Sequence, residues 1–421
     1  MKRFQIFYTF VIMKIIVIGG GAAGFFSAIT AAELNPQAEV TILERGKDVL
    51  QKVKISGGGR CNVTHACFVP RELVKKYPRG EKALMSPFTR FATGDTIDWF
   101  DKRGVHLKKE EDGRMFPITD NSQTIVDCLY SAATRAGVQI LRGYRVEDLS
   151  ISEPPEVGKK PVLIVKTNQK TLTADKVIVA SGSSTAMWDI LKRLGHTIVQ
   201  PVPSLFTFNI TDTRLKDLAG LSVEDAEVRV VDTKLTAEGP LLITHWGLSG
   251  PGILKLSAWG ARELFDKNYH FTIKINWTGA YSLDETKELL MEQKTATSKK
   301  QISNAPLFKI PSRLWQRFIE AAHIPTETRW ADITKKHIQA LAEQLTQSLY
   351  QVKGKSTFKD EFVTAGGVKL DEVNFKNFES RIIPNLFFAG EVLDIDAITG
   401  GFNFQAAWTG GWIAGQSIVE F

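Results

Sequence analysis

KIIVIGGGAAGFFSAITAAELNPQAEVTILE, residues 14–44, is the stretch whose reading decides the fold. KIIVI is a continuous apolar run of the kind that forms a strand buried on both faces. AAGFFSAITAAEL reads as a helix that Asn35 and Pro36 stop, because proline has no N–H to donate and restricts the residue before it. EVTILE is again a strand. Between the first strand and the helix, Gly19, Gly21 and Gly24 stand at G-x-G-x-x-G spacing, and Glu44 follows twenty residues after the last glycine.

Each part of this unit has a physical task. Gly19 makes the tight turn, Gly21 lets backbone approach a pyrophosphate, and Gly24 lets the helix pack closely on the strand. The helix N-terminus, with Ala22 and Ala23 in its first turn, directs unpaired N–H groups and its positive dipole end at the phosphates. Glu44 is placed to accept hydrogen bonds from an adenosine ribose, with Arg45 beside it. An acid at that point disfavours a 2′-phosphate, so the expected nucleotide is FAD or NAD rather than NADP.

The far end of the chain separates those two. In IPNLFFAGEVLDIDAITGGFNFQAAWTGGWIAGQSI, residues 383–418, a short strand ends at Gly390 and Glu391, and Gly400 and Gly401 precede a helix opening on Phe402 and Asn403. A plain nicotinamide domain needs no such return, whereas flavoproteins of the glutathione-reductase-like class close their FAD site with one. There the acid meets the ribityl chain, and the helix N-terminus faces the flavin pyrimidine carbonyl, where partial positive charge stabilises the anionic reduced flavin. ADKVIVASGSST, residues 174–185, adds a strand ending in the small-residue turn Ala180-Ser181-Gly182, where many FAD proteins carry Ala-Thr-Gly.

A chain of 421 residues is long enough for two or three domains, and 43% hydrophobic with 24% charged residues is an ordinary globular composition that excludes disordered and fibrous classes. The net charge is +7 with pI near 9.1. The 53 Lys and Arg are spread along the chain, which permits attraction to anions but places nucleic acid below a small molecule as the expected partner. Cys61, Cys67 and Cys128 are odd in number and form no CxxC pair, so neither a disulfide framework nor a metal site is expected, and a reducing cytoplasm fits. MKRFQIFYTFVIMK resembles a secretory signal, yet it runs into the glycine turn without a separate cleavage site. Residues 1–12 therefore read as an extension, with Met13 as the natural start. No stretch supplies the ~20 apolar residues of a membrane-spanning helix.

KISGGGRCNVT (54–64), RMFP (114–117), THWGLSGP (244–251), TAGGV (364–368) and the GEVLD…TGG segment together resemble a bacterial flavoprotein family of NAD(P)/FAD-dependent oxidoreductases, to which an aminoacetone oxidase and bile-acid-induced flavoproteins belong. The resemblance spans nearly the whole chain from Met13. It implies an α/β architecture: an FAD-binding, Rossmann-like (glutathione-reductase-like) domain assembled from both chain ends, an inserted β-rich, barrel-like domain, and a helical insertion within that. The boundaries read as 13–204 and 364–421 for the FAD domain, 205–280 and 351–363 for the β-rich domain, and 281–350 for the helices. FTFNI, AEVRVV and YHFTIKINW carry strand patterns, while LDETKELLMEQ, SRLWQRFIEAA and ADITKKHIQALAEQLTQSL carry helical spacing.

By the same resemblance, Lys54 and the loop residues Gly58, Gly59, Arg60, Cys61 and Asn62 lie along the FAD, as do Ser181 and Gly182. Cys61 and Cys67 are spaced C-x5-C, not the C-x4-C of flavin disulfide reductases, so Cys61 reads as a small packing residue beside the cofactor. His245, in the glycine-rich THWGLSGP, is the candidate acid or base, against the alternative of a hydrogen-bonded structural histidine. The function expected is that of an FAD-dependent oxidoreductase acting on a small organic substrate by hydride transfer to or from the flavin. The alternatives are an RNA-binding or tRNA-modifying flavoprotein, and a flavin-bound scaffold without turnover. No second G-x-G-x-x-G unit is visible, so NAD(P)H is expected to act without a dedicated domain.

Overall fold

The computed structural model describes residues 12–152, 162–356 and 363–420. The extension expected at residues 1–12 therefore lies, save Ile12, outside the described residues. The chain divides into two compact units, one formed by the segments up to Pro201 and from Thr364 onward, the other by Val202–Val363.

The first unit is built on a parallel sheet. Lys14–Ile18 occupies its centre, flanked by Glu39–Glu44 and Lys176–Val179; Gln139–Arg142 extends one side and Leu386–Phe388 the other. Ile16 pairs with Thr41 on one side and Val177 on the other. Ile15, Ile16, Val17 and Ile18 are all buried, because crossover helices cover both faces of a parallel sheet. The short strands Val373–Asn374 and Glu379–Ser380 continue the sheet antiparallel beyond Leu386–Phe388.

The first helix, Ala22–Leu34, ends at Asn35 as the sequence pattern requires, and its residues from Ala23 to Ala32 are buried. It is enclosed because the closing helix, Phe402–Ser417, lies directly against it. Glycine makes that approach possible: an ideal Cβ on Gly411 would sit 2.8 Å from the Ala23 carbonyl oxygen, and one on Gly415 would sit 2.5 Å from the Ser27 carbonyl oxygen. Aromatic rings fill the space around the contact, with Phe26 at 4.4 Å from Trp99 and 5.3 Å from Trp408 between ring centroids.

The second unit holds two antiparallel sheets. One has the order Ser222–Val223, Leu241–Thr244, Gly247–Ser249, Thr207–Asn209, Lys355–Ser356; the other runs Thr236–Glu238, Glu227–Val230, His270–Asn276, Ser348–Lys353. Helices Leu283–Ala296, Ser312–Ala321 and Lys335–Thr346 share one apolar core with these sheets, with Trp277, Trp315, Phe318 and Leu341 fully buried. Within the span read as strands, Pro251–Trp259 and Ala261–Asp266 are helical. Gly250-Pro251 starts that pair, since proline is pre-organised for the first helical position. Among the described residues no helix is long and apolar enough to cross a membrane.

The glycine-mediated helix contact is testable. Gly415→Leu forces a side chain into backbone and is expected to destabilise the first unit by about 1–3 kcal/mol, the usual cost of overpacking. A lower thermal midpoint of the apoprotein, measured by circular dichroism, is the check; an unchanged midpoint contradicts the packing described.

Candidate active site

The turn after the first strand is held by close backbone contacts. Gly19 has φ +113°, and an ideal Cβ there would lie 2.4 Å from the Ala180 carbonyl oxygen. A Cβ on Gly24 would lie 1.9 Å from the Gly19 carbonyl oxygen. Gly21 differs from both: a Cβ on it meets no atom within 4 Å. The first and third glycines are therefore required by protein packing, and the second borders open space.

That space is lined with groups lacking partners. No side chain caps the N-terminus of the first helix, and its first turn holds no acid. The buried hydroxyl oxygen of Ser181 has no hydrogen-bond partner among the described residues. Glu44, at the end of its strand, is oriented by two backbone amides, accepting from Gly20 N–H at 2.8 Å and from Gly46 N–H at 2.7 Å. Gly390 approaches the same helix, since a Cβ there would sit 2.9 Å from the Cβ of Ala23. Glu391 follows it, mostly buried, and pairs with Lys52 at 2.5 Å. Lys52 escaped the sequence reading because a lone lysine in QKVKI carries no motif. Arg45 and Lys54 are exposed.

A second cluster surrounds the N-terminus of the closing helix. Its cap residue, Gly401, has φ +91°, no side-chain cap, and no acid in the first turn after it. The Asn62 amide accepts from Gly401 N–H at 3.0 Å and donates to the Thr64 carbonyl at 2.9 Å. Asn403, expected at the cofactor, ties the loop to itself: it accepts from Ala397 N–H at 2.9 Å and donates to the Ala397 carbonyl at 3.2 Å. Tyr77 donates its hydroxyl to the Phe402 carbonyl at 2.6 Å. Arg79 is nearly buried against the fully buried Asp396, a pair that clamps the preceding loop and that is costly to break from one side.

His65 joins this cluster and was missed by the sequence reading, which had no signal separating it from the other histidines. Its Nδ1 lies 3.1 Å from the Gly400 carbonyl oxygen and its ring stacks on Phe402 at 4.5 Å. Burial pushes its imidazole below the ordinary histidine range, so the ring is neutral at pH 7, with Nδ1–H donating to Gly400 and Nε2 left as an acceptor.

SGGGRCN is a broken helical segment more than a plain loop. Within Gln51–Gly59 the backbone leaves helical geometry at Ser56, and Gly57, Gly58 and Gly59 all have positive φ, a run that only glycine adopts without strain. Gly58 and Gly59 face open space. Arg60 pairs with Glu110 at 2.7 Å and lies 4.0 Å over the Phe116 ring. Cys61 is fully buried, and burial pushes its thiol up to about 12. Cys67 is likewise raised by burial, and both remain free thiols. Thiolate chemistry at neutral pH has no support in this pair.

His245 belongs to the second unit. THWGLSGP is a β-hairpin followed by a helix start, not a glycine-rich loop: Leu241–Thr244 pairs with Gly247–Ser249, and His245 is exposed at the turn, within the second unit. Among the described residues no cluster of His, Cys, Asp and Glu could hold a metal ion.

A family profile described as "HI0933-like protein Rossmann domain" matches residues 13–417. The chain belongs to this HI0933-like family. Its relatives include a ribosomal RNA dihydrouridine synthase of Escherichia coli, 29% identical over 96% of this chain and 97% of that one. A 3-dehydro-bile acid delta(4,6)-reductase of Clostridium scindens is 25% identical over 97% of this chain and 99% of that one. A 3-ketosteroid-delta4-(5alpha)-dehydrogenase of Rhodococcus jostii shares the fold, with TM-score 0.50, 12% identity, and 98% and 99% coverage. The open space at Gly21, the orphaned Ser181 hydroxyl and the two uncapped helix N-termini fit FAD, the cofactor of this HI0933-like protein, which is an FAD-dependent oxidoreductase.

Two outcomes follow from the geometry. Gly21→Val fills space rather than protein, so the apoprotein should keep its unfolding free energy to within roughly 1 kcal/mol, the scale of a helix-cap change. Its FAD affinity should fall roughly 100-fold, or about 2.7 kcal/mol, measured by flavin fluorescence on titrating apoprotein. Cys61 should stay unreactive towards iodoacetamide at pH 8, because its raised thiol is protonated far below about 12; mass spectrometry of the alkylated native protein checks this.

Proposed function

We propose that this HI0933-like protein is a reductase that adds hydrogen across a carbon–carbon double bond conjugated to a carbonyl, with uracil in ribosomal RNA as its substrate class. The observation that carries the reading is the electronic pattern common to its full-length relatives. Uridine becomes dihydrouridine by saturation of C5=C6, which is conjugated to the C4 carbonyl. A 3-dehydro-bile acid with delta(4,6) unsaturation is a ketone conjugated to two alkenes. Two ribosomal RNA dihydrouridine synthases, at 29% and 27% identity, and the basic charge of this chain favour the nucleic-acid substrate. The bile-acid relative supports a second reading, a free small enone, at 25% identity.

Bound and reduced, FAD would supply the hydride that this reduction needs at the carbon β to the carbonyl. A proton added at the α carbon completes the reduction. The chain's own groups serve that step in distinct ways. The unsatisfied amides of the closing helix favour negative charge at their end, which suits a reduced, anionic flavin. The Asn62, Tyr77 and Arg79 contacts hold that helix end and its loop in one geometry. The two proton-transfer candidates are His65, in the cofactor unit, and His245, exposed on the hairpin of the other unit. His65→Gln and His245→Gln distinguish them through the solvent isotope effect on flavin reoxidation.

The decisive experiment reduces the holoenzyme anaerobically with dithionite and follows flavin absorbance after adding deproteinised ribosomal RNA, cyclohexenone or a 3-keto-4-ene steroid. Reoxidation by RNA, with a mass gain of about two hydrogens on a uridine nucleoside, is expected. Reoxidation by the enones alone moves the substrate to the second reading, and reoxidation by none of them overturns the alkene-reductase reading. NADH and NADPH should reduce the flavin without saturating at micromolar concentration, since the sequence offers one glycine-turn cradle, which FAD fills. Rapid saturable bleaching contradicts this.

A further inference from the structure

The second unit contains a cationic surface that the cofactor chemistry does not use. Between residues 293 and 319 the sequence has six Lys or Arg and no Asp or Glu. The fold draws part of this segment beside other cations. Lys294 Nζ donates to the Ile333 carbonyl at 2.7 Å. Trp330 N–H bonds to the Lys300 carbonyl at 3.0 Å, and Ala331 N–H to the Ser298 carbonyl at 2.9 Å. Helices Leu283–Ala296 and Lys335–Thr346 run antiparallel, as a polar cleft lined at their other end by Tyr281, Ser282, Thr346 and Gln347 also shows. One end of this helix pair therefore gathers Lys299, Lys300, Arg329, Lys335 and Lys336, all exposed.

Among the described residues none of these five side chains makes an ion pair or hydrogen bond. Other exposed cations of the same unit do pair with carboxylates, as Arg229 does with Glu227 and Lys309 with Asp225. The acids on the neighbouring segments, Glu292, Glu327 and Asp332, leave cations in excess. No large apolar residue is exposed between 298 and 301 or between 329 and 336, so the patch lacks the insertion group that a membrane-surface site requires.

We infer that Lys299, Lys300, Arg329, Lys335 and Lys336 form a docking surface for the phosphate backbone of RNA. This inference rests on the RNA reading above. Unpaired, exposed cations suit it, because they bind phosphates without first breaking an internal ion pair, and they release condensed counterions on contact. Such contacts position the nucleic acid and carry no sequence information, leaving the choice of base to the cofactor unit.

The test uses the full-length holoenzyme and deproteinised ribosomal RNA as the probe, with dissociation constants measured from 50 to 300 mM salt. Lys299→Gln combined with Lys300→Gln, and separately Lys335→Gln with Lys336→Gln, should each weaken binding roughly tenfold or more near 0.1 M salt. Each pair should also lower the magnitude of the salt slope by about 2, near one per phosphate contact. FAD content and dithionite-reduced reoxidation by cyclohexenone should stay unchanged, which separates RNA docking from folding. Lys166→Gln with Lys192→Gln removes the same charge from exposed positions of the other unit and should change binding less than twofold. Equal losses in patch and control variants overturn the surface, as does RNA binding by wild type that no patch variant weakens; in both cases the RNA substrate reading survives. Wild-type protein that binds no RNA overturns surface and RNA reading together, and tighter patch-dependent binding to anionic phosphatidylserine vesicles than to RNA assigns the surface to a membrane instead.

Discussion

The carbonyl oxygen of Gly19 occupies the place where a Cβ on residue 24 would sit. That contact fixes how closely the first helix can follow the first strand, and it sets the direction in which the helix N-terminus points. With a side chain at residue 24, strand and helix would have to separate, and the unsatisfied amides would no longer aim at the space beside Gly21. Phosphate binding here is thus a by-product of backbone packing: the ligand meets donors already paid for by the fold.

A second constraint comes from the other end of the chain. The closing helix touches the first helix through Gly411 and Gly415 and carries the second uncapped N-terminus. Its loop is held from several directions, by Tyr77 on the Phe402 carbonyl, by Arg79 on Asp396, and by Asn62 on Gly401. The donors that would face a flavin are therefore part of a rigid network, which is the condition for electrostatic groups to act without reorganising. The cofactor unit brings residues near 20 against those near 180 and 390, and residues near 60 against those near 400, although each pair is more than a hundred residues apart in sequence.

What was legible in the sequence follows from how local each signal is. The first strand, helix and second strand could be read because apolar period, glycine spacing and the Asn-Pro stop all act within a few residues. The separate tasks of the three turn glycines could be read from their spacing, and the coordinates add the contacts: Gly19 and Gly24 are fixed by neighbouring backbone, while Gly21 borders open space. The side-chain partners of Asn403 and Arg60, Ala397 and Glu110, could not be read, because a side chain's partner in a folded loop is set by tertiary placement. The same reason hides His65 and Lys52, whose partners Gly400 and Glu391 lie more than 300 residues away. The helices after Gly250 were hidden by a hairpin motif that reads as glycine-rich loop.

The sheet order has a consequence for synthesis on the ribosome. Lys176–Val179 takes Leu386–Phe388 as its outer neighbour, so that flank stays bare while the intervening residues are translated. At ~5–20 residues per second this amounts to roughly 10–40 s. Throughout that interval the nascent chain presents an unpaired parallel edge, the kind of surface that recruits wrong strands or chaperones. Translation of Leu386–Phe388 is then what ends the exposure, and a stop codon before that strand leaves it permanent.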